Sequence, residues 1–518
     1  MTTVEVESIK PLLAISVSLL GAALIVATRS NPNVREGCSI GTAILKFFIV
    51  VSMIPEVLAG KTFHYTLFTF FPGVSIEFRV DALGLIFATT ASFLWVLTTF
   101  YSIGYMRSLK EHHQTRYYTC FAITLTATLG LAFSANLVTL FLFYDLITFI
   151  TYPLVTHSGT KEAYAAGNKY LFYLLATAKA FLVTAIFLTY NLSNTFDFRP
   201  GGVFPPGANQ TALVIAYVLF IAGLGKVAVM PFHSWLPAAM IAPTPVSALL
   251  HAVAVVNAGA FSVLRIIFHV FGIDLMKSLN LGVMTGLLVS FTIITASLYA
   301  LTRDNLKARL AYSTISQLSY MVLGGALLTP SGMTGGMMHI ANHAFAKITL
   351  FFCAGSIYVA SRKTNISQLD GIGRKMPWTM TAFALGTLGM IGVPPAAGFL
   401  TKWYLMSGAI EAKELPFLFV LLTSSFLNAA YFLPIVQRAF FGGSPQTLKA
   451  LHPVPQSVGA AAAENDDGHS HDVGLRDGEI REPSYYIVAP LLICGVISVL
   501  LGVYPEFLLE LIKQVVGR

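Results

Sequence analysis

Long apolar runs alternate with short polar connections along nearly the whole chain. A hydrocarbon core of about 30 Å needs about 20 apolar residues in a helix. Runs of that kind fall at 10–28, 38–58, 81–105, 117–134, 136–157, 165–190, 210–229 and 244–272, then at 279–302, 310–329, 333–361, 377–410, 415–441 and 484–511. The pattern predicts an all-α polytopic membrane protein of about 14 transmembrane helices. The first run has neither a basic leader nor a cleavage site, so it reads as a span rather than a signal peptide. Two runs are interrupted: the seventh leads into Pro231, Pro237, Pro243 and Pro245, and the twelfth contains Pro394-Pro395. Proline withholds a backbone donor and breaks a helix. Broken backbone at membrane depth is tolerated where protein or a watery cavity surrounds it, so helices 7 and 12 are expected to be discontinuous.

Composition agrees with the pattern. Of 518 residues, 55% are hydrophobic and 11% charged, against about 25% charged in soluble chains. Cys38, Cys120, Cys353 and Cys494 stand singly, which offers neither a disulfide framework nor a metal site. With no Cys cluster, haem motif or GxGxxG after a strand, no redox or hydrolytic site and no cofactor are expected in this chain. The net charge of +8 is read as a topology signal, not a nucleic-acid surface. Placed on alternate sides of fourteen spans, Lys and Arg divide 18 to 8, leaving six inside spans. The richer side is expected to be cytoplasmic, with both termini outside. The segment 442–483, polar and acidic, reads as a cytoplasmic loop in which the His469/His471 pair belongs to a solvated linker rather than a metal site.

The six in-span basic residues are Lys46, Lys179, Lys226, Arg265, Lys347 and Lys402, and Asp145 is the one carboxylate well inside a span of the first half. An ionisable group inside a span is a functional-site hypothesis by default. Asp145 and Lys226 are expected to pair; a pair of this kind either opens when a proton or cation arrives or fixes helix packing. His339, His343 and Lys347 recur every four residues and share one helix face, which predicts a proton relay. His251 either links the two halves or is a satisfied core histidine. Lys402 is read as the terminal group of the relay, the alternative being a lysine snorkelling to the interface. Lys179 and His233 are secondary candidates, and Lys46 and Arg265, nearer span ends, are read as snorkelling.

Lys179 and Lys226 recur 168 and 176 positions later as Lys347 and Lys402, five spans on each time. Five is odd, so two such units have inverted topology, as in many transporters. The expected organisation is 1–116 (helices 1–3), 117–275 (first repeat, helices 4–8), 276–441 (second repeat, helices 9–13), 442–483 (polar loop) and 484–518 (helix 14).

At these residues the chain resembles the antiporter-like subunits shared by Mrp-type cation/proton antiporters, respiratory complex I and membrane-bound hydrogenases. The resemblance is carried by GLGKVAVMPFHSWLPAAMIAPTPVSALLHA, RDNLKARLAYSTISQLSYM, HIANHAFAKITLFF and GVPPAAGFLTKW, which anchor spans five to twelve. It implies two inverted five-helix repeats around a central hydrophilic axis. In it Lys226 would be the lysine of broken helix 7, Asp145 its acidic partner and His251 the linking histidine. His339, His343 and Lys347 would form the central relay, and Lys402 its terminal lysine. Where the family usually has a Trp-Glu or Tyr-Glu pair, this chain has Tyr144-Asp145, a methylene shorter, so a looser bridge or a shifted helix is expected. The end soon after span fourteen implies no long lateral helix of the kind in complex I's largest antiporter-like subunit, and no long extension of the kind in the A-type Mrp protein. Lys402 differs from the glutamate of complex I's M-type subunit, and YDLITFITYPLV and the size look most like the D-type Mrp protein.

The resemblance thus implies a proton-translocating subunit of a multi-subunit Na⁺ or K⁺/H⁺ antiporter in the cell inner membrane. Its partners would be other membrane subunits and the bilayer, with no nucleic acid. A proton-pumping subunit of an NADH:quinone oxidoreductase or membrane-bound hydrogenase is the alternative, and a partner in inorganic-carbon uptake a third reading.

Overall fold

The helical runs start where short polar side chains can satisfy free backbone N–H groups. Asn31, Asp81, Asn136, Thr160, Asn209, Asn305 and Thr329 each stand immediately before a helix and accept from a backbone N–H in its first turn. A cap of this kind stabilises a helix by about 1 kcal/mol. The chain is seen here in a computed structural model that describes residues 4–442 and 480–517. Most of the expected loop, with His469 and His471, lies outside the described residues.

The chain opens with β1 (Val4–Glu7), α1 (Lys10–Ala27), α2 (Pro32–Val51), α3 (Ile54–Leu58), β2 (Lys61–Phe71) and β3 (Val74–Val80). There follow α4 (Ala82–Ser108), α5 (Gln114–Ala132), α6 (Leu137–Val155), α7 (Lys161–Thr177) and α8 (Val183–Ser193). Next come α9 (Gln210–Gly223), α10 (Trp235–Ala238), α11 (Thr244–Ala248), α12 (Val255–Ile266) and α13 (Ile273–Ser278). Then follow α14 (Leu281–Thr302), α15 (Leu306–Ala326), α16 (Pro330–Ser361), α17 (Ile372–Lys375), α18 (Pro377–Ile391), α19 (Ala397–Glu411) and α20 (Leu415–Phe441). The last helices are α21 (Tyr485–Val503) and α22 (Glu506–Val516).

Among the described residues, ten helical stretches are long and apolar enough to cross a membrane. The other expected runs fall on α5, on α9 with its irregular continuation, on α15 and on the α18/α19 pair. Both expected breaks are present. Helix α9 stops at Gly223 and is followed by a tight 3₁₀ turn, Gly225–Val227, before α10. The α18 and α19 helices are separated at 392–396.

Two expectations need correction. The run 484–511 is two helices, because Tyr504-Pro505 ends α21 and begins the amphipathic α22. Residues 59–80, which hydropathy left without an element, contribute two strands to a three-stranded sheet in the order β1-β2-β3. There β1 runs parallel to β2, and β2 pairs antiparallel with β3, Phe63 opposite Val80 and Tyr65 opposite Phe78. The alternation of VSIEFRV after Pro72-Gly73 is a hairpin signal, too polar to register as a span.

The 32-residue α16 is the axle of the bundle, packing on α4, α11, α15, α18, α19 and α21. Two glycines permit the close approaches around the breaks. A Cβ on Gly259 of α12 would lie 2.4 Å from Val227 N, and one on Gly398 of α19 would lie 1.8 Å from the carbonyl oxygen of Gly389.

Candidate functional site

Successive residues of an α-helix point about 100° apart, so Tyr144 and Asp145 on α6 serve different neighbours. The Asp145 carboxylate is ion-paired through Oδ2 to Lys179, and its buried Oδ1 has no hydrogen-bond partner among the described residues. Lys179 lies in a π-helical turn, Ala178–Leu182, between α7 and α8. Lys226 is fully buried in the 3₁₀ turn of the first break. Its Nζ donates to the Tyr144 backbone carbonyl and sits 3.3 Å from the centroid of the Tyr144 ring, while its backbone N–H donates to the Tyr144 hydroxyl at 3.0 Å. The direct partner of Asp145 is therefore Lys179, a secondary candidate in the sequence, and not Lys226. Lys226 remains within electrostatic reach of both charges.

The same contact recurs in the second half. Lys347 donates from α16 to the Ser313 hydroxyl of α15, and to the Leu310 carbonyl at 3.3 Å. Ser313 and Lys347 stand 168 positions after Asp145 and Lys179, so a hydroxyl occupies the place of the carboxylate.

Between these clusters lies a file of buried imidazoles. His251 occupies a π-helical turn, Leu249–Val253, with its ring 5.1 Å from that of Phe351, one helical turn beyond Lys347 on α16. The His343 and His339 rings are 5.7 Å apart. His339 Nε2 is 3.0 Å from Gln317 Oε1, and the Tyr320 ring lies 5.7 Å beyond. Lys402 Nζ sits 5.5 Å from the Tyr320 ring and donates to the carbonyls of Ile391 at 2.6 Å and Met390 at 3.2 Å, the last residues of α18. Lys402 is thus buried at the second break rather than snorkelling. Both ring nitrogens of His251 and of His343 lack hydrogen-bond partners among the described residues. Buried polar groups are ordinarily satisfied, so this file is a polar seam in an apolar bundle. His233 lies partly buried in the irregular segment after Lys226 and is not one of the side chains that make up the file.

Some charged groups were missed. Arg265 does not snorkel: it is buried, grips both Asp81 oxygens, one at 2.9 Å, and touches His269 at 3.4 Å. Lys46 is likewise fully buried, 5.1 Å from the Trp95 ring, with no hydrogen-bond partner among the described residues. Position near the end of an apolar run says nothing about the neighbours that cover a side chain. The π-helical turns also escaped the sequence, though each carries an ionisable residue: Lys179, His251 and His269. Such turns are frequent at functional sites.

Two cavities flank this seam. One, of about 320 Å³, is lined by Tyr105, Glu111, Ala242, Thr244 and Lys307, whose Nζ donates to the Ala242 carbonyl at 2.6 Å. Burial pushes the Glu111 carboxyl above its ordinary range, against the pull of His112 and Arg362. The other, of about 250 Å³, is lined by Asp81, His269, Asp274 and Gln514. Asp81 opens α4 and Tyr105 lies near its far end; at 1.5 Å per residue the two cavities stand about 36 Å apart, a membrane thickness.

Similarity to known proteins identifies the family and the fold. Residues 134–428 match the family model "NADH:quinone oxidoreductase/Mrp antiporter, TM", and residues 72–118 match "NADH-Ubiquinone oxidoreductase (complex I), chain 5 N-terminus". NADH-quinone oxidoreductase subunit N of Desulforudis audaxviator is 30% identical over 469 residues, 90% of this chain and 89% of that protein. NAD(P)H-quinone oxidoreductase chain 5 of Synechocystis is 30% identical over 512 residues, 94% of this chain and 71% of that protein. Among solved structures, a chain of the archaeal membrane-bound sulfane sulfur reductase superposes with a TM-score of 0.83, and one of the Mrp complex from Dietzia with 0.82. Both are 22% identical, cover 98% of this chain and 97% of their own, and show the same fold. The chain is a multi-pass membrane protein of the NADH:quinone oxidoreductase/Mrp antiporter family of proton-translocating membrane subunits.

Proposed function

We propose that the chain is the D-type member of a multi-subunit monovalent cation (Na⁺ or K⁺)/H⁺ antiporter. Protons pass along Asp145, Lys179, Lys226, His251, Lys347, His343, His339 and Lys402. The observation that carries the reading is the buried file of basic side chains between the two breaks, with imidazole nitrogens that no described protein group satisfies. Water-sized gaps beside such nitrogens would complete a path of hydrogen bonds, along which a proton moves by exchange. The equal offsets of the Asp145/Lys179 and Ser313/Lys347 contacts support two inverted repeats, residues 117–275 and 276–441. The Lys307 cavity, beside Arg362 and Lys363, fits the cytoplasmic mouth, and the Asp81 cavity the opposite one.

The test uses everted vesicles that lack native antiporters and contain the chain with its neighbouring subunits. A pH-sensitive dye is quenched by respiration, and Na⁺ or K⁺ is then added. Cation-triggered dequenching that disappears in Lys226→Ala and Asp145→Ala supports antiport through this axis. A proton gradient that NADH builds only in vesicles carrying the chain and its neighbouring subunits, and not in vesicles without them, and that cations leave unchanged, transfers the chain to a redox-driven complex, the reading favoured by relatives named as quinone oxidoreductase subunits. Full activity in both variants overturns the relay.

A further inference from the structure

We propose that Glu111, His112 and His157 form a binding site for a divalent metal ion of the zinc class at the rim of the Lys307 cavity. Glu111 and His112 lie in the turn between α4 and α5, and His157 follows the end of α6. Each offers one ligand atom, and the three atoms lie within 4.8 Å of one another. Glu111 Oε2 is 3.8 Å from His112 Nδ1 and 3.8 Å from His157 Nε2. In a tetrahedral zinc site with bonds of about 2.0–2.1 Å, ligand atoms stand about 3.4 Å apart. The two carboxylate distances need to contract by a few tenths of an ångström, and the two imidazole nitrogens, within 4.8 Å of each other, by up to about 1.4 Å, a movement open to the half-exposed His112 side chain.

Two further observations separate this cluster from a chance meeting of side chains. His112 Nε2 lies 3.0 Å from the His157 backbone carbonyl, which can only accept, so Nε2 carries the proton and Nδ1 presents its lone pair. That is the orienting contact metal-binding imidazoles usually make. The His157 side chain is fully buried, yet neither of its ring nitrogens has a hydrogen-bond partner among the described residues. A buried imidazole facing a carboxylate and a second lone pair presents three donors to a cation placed between them. Three protein ligands leave one position for water, the open arrangement of a zinc ion that exchanges.

Because Glu111 also lines the cavity, an ion bound here would fix its carboxylate and tie the α4–α5 turn to the end of α6. Slowed proton passage is the expected consequence. This consequence rests on the proposed function; binding itself does not.

The full-length chain is purified in detergent with His469→Ala and His471→Ala, which remove a competing HxH pair, and titrated with Zn²⁺ by calorimetry. One equivalent is expected to bind. His112→Ala and Glu111→Gln are each expected to weaken it by about 100-fold, at the upper end of the loss from an outer-shell partner. His112 is half exposed, so an unchanged melting temperature in His112→Ala excludes misfolding. Affinity unchanged in both variants overturns the site. In everted vesicles, added Zn²⁺ is expected to slow cation-triggered dequenching in the parent chain and not in His112→Ala. Zinc that binds without slowing the parent overturns the gating role. Vesicles that move no protons even without zinc refute the transport reading, while the calorimetry still decides the metal site.

Discussion

Asp145→Asn, combined with Lys179→Met and separately with Lys226→Met, measures which lysine the buried carboxylate is coupled to. Two unit charges about 4 Å apart at an effective dielectric of about 20 interact by about 4 kcal/mol. The Lys179 side chain is 53% exposed at the surface of this chain, so screening reduces that figure. Contacting pairs in double-mutant cycles give about 0.5–3 kcal/mol, and about 1–3 kcal/mol is expected for Asp145 with Lys179. At about 1.4 kcal/mol per factor of ten, this is a departure from additivity of about 5- to 150-fold. Lys226 gives its ammonium to the Tyr144 carbonyl, so its coupling to Asp145 is expected to stay below about 1 kcal/mol.

Initial rates of cation-triggered dequenching in everted vesicles supply one cycle. Thermal denaturation of the purified chains supplies a second, which stands even where single variants no longer transport. A Lys179 cycle that adds to within about 0.5 kcal/mol, or a larger coupling for Lys226, refutes the partner assignment and restores the pairing expected from sequence.

Lys347→Met keeps the length of the side chain and removes its charge, so transport is expected to fall by about 10²-fold or more, the usual contribution of a positioned proton-transfer group. Unchanged circular dichroism would show that the bundle survives. Arg265→Leu takes away the main partner of the Asp81 carboxylate, which keeps His269 at 3.9 Å and the Gly84 N–H, so a loss of stability below the about 3–5 kcal/mol of a fully stranded buried charge is expected. The Asp81→Leu/Arg265→Leu double variant should recover most of the lost thermal stability, and failure to do so argues that the pair acts beyond packing. Gly398→Ala places a Cβ 1.8 Å from the Gly389 carbonyl oxygen; overpacking of this kind is expected to lower stability by about 1–3 kcal/mol, read as a lower melting temperature.

Hydropathy located the helices because each span must satisfy its own backbone in lipid, a constraint written in every apolar run. Proline located the breaks for the same reason. The partner of Asp145 was not legible, because charge spacing along the chain gives no account of the face a residue presents. Lys179 reached it from a π-helical turn, whose extra residue rotates the face. Lys46 and Arg265 stood near the ends of their runs, where a lysine or arginine ordinarily reaches water. They are covered by α4 and by the Asp81 cap, which are distant in sequence. The β2–β3 hairpin lay in plain alternation, but a search tuned to spans of about 20 residues passed over it. His339, His343 and Lys347 were legible because their spacing of four fixes a common helix face.

Apart from Lys46, which has no hydrogen-bond partner among the described residues, the buried basic groups of the spans divide into two kinds by their partners. Arg265 faces the Asp81 carboxylate with two hydrogen bonds, and removing the carboxylate leaves the buried guanidinium stranded. Such a pair resists change and suits a structural tie. Lys226, Lys347 and Lys402 are given carbonyls or a hydroxyl instead: Tyr144, Ser313 with Leu310, and Ile391 with Met390. An amine donates to a carbonyl whether it carries two protons or three, so these contacts survive the loss of a proton. A side chain that keeps its place in both protonation states can pass a proton on without the helix around it rearranging. Lys179, the basic member of the axis held by a carboxylate, is the exception, and it sits at the open lateral face of the chain. Gain or loss of a proton there changes a full ion pair, so on the proposed relay the Asp145/Lys179 contact would be the place where proton movement is coupled to a change of structure.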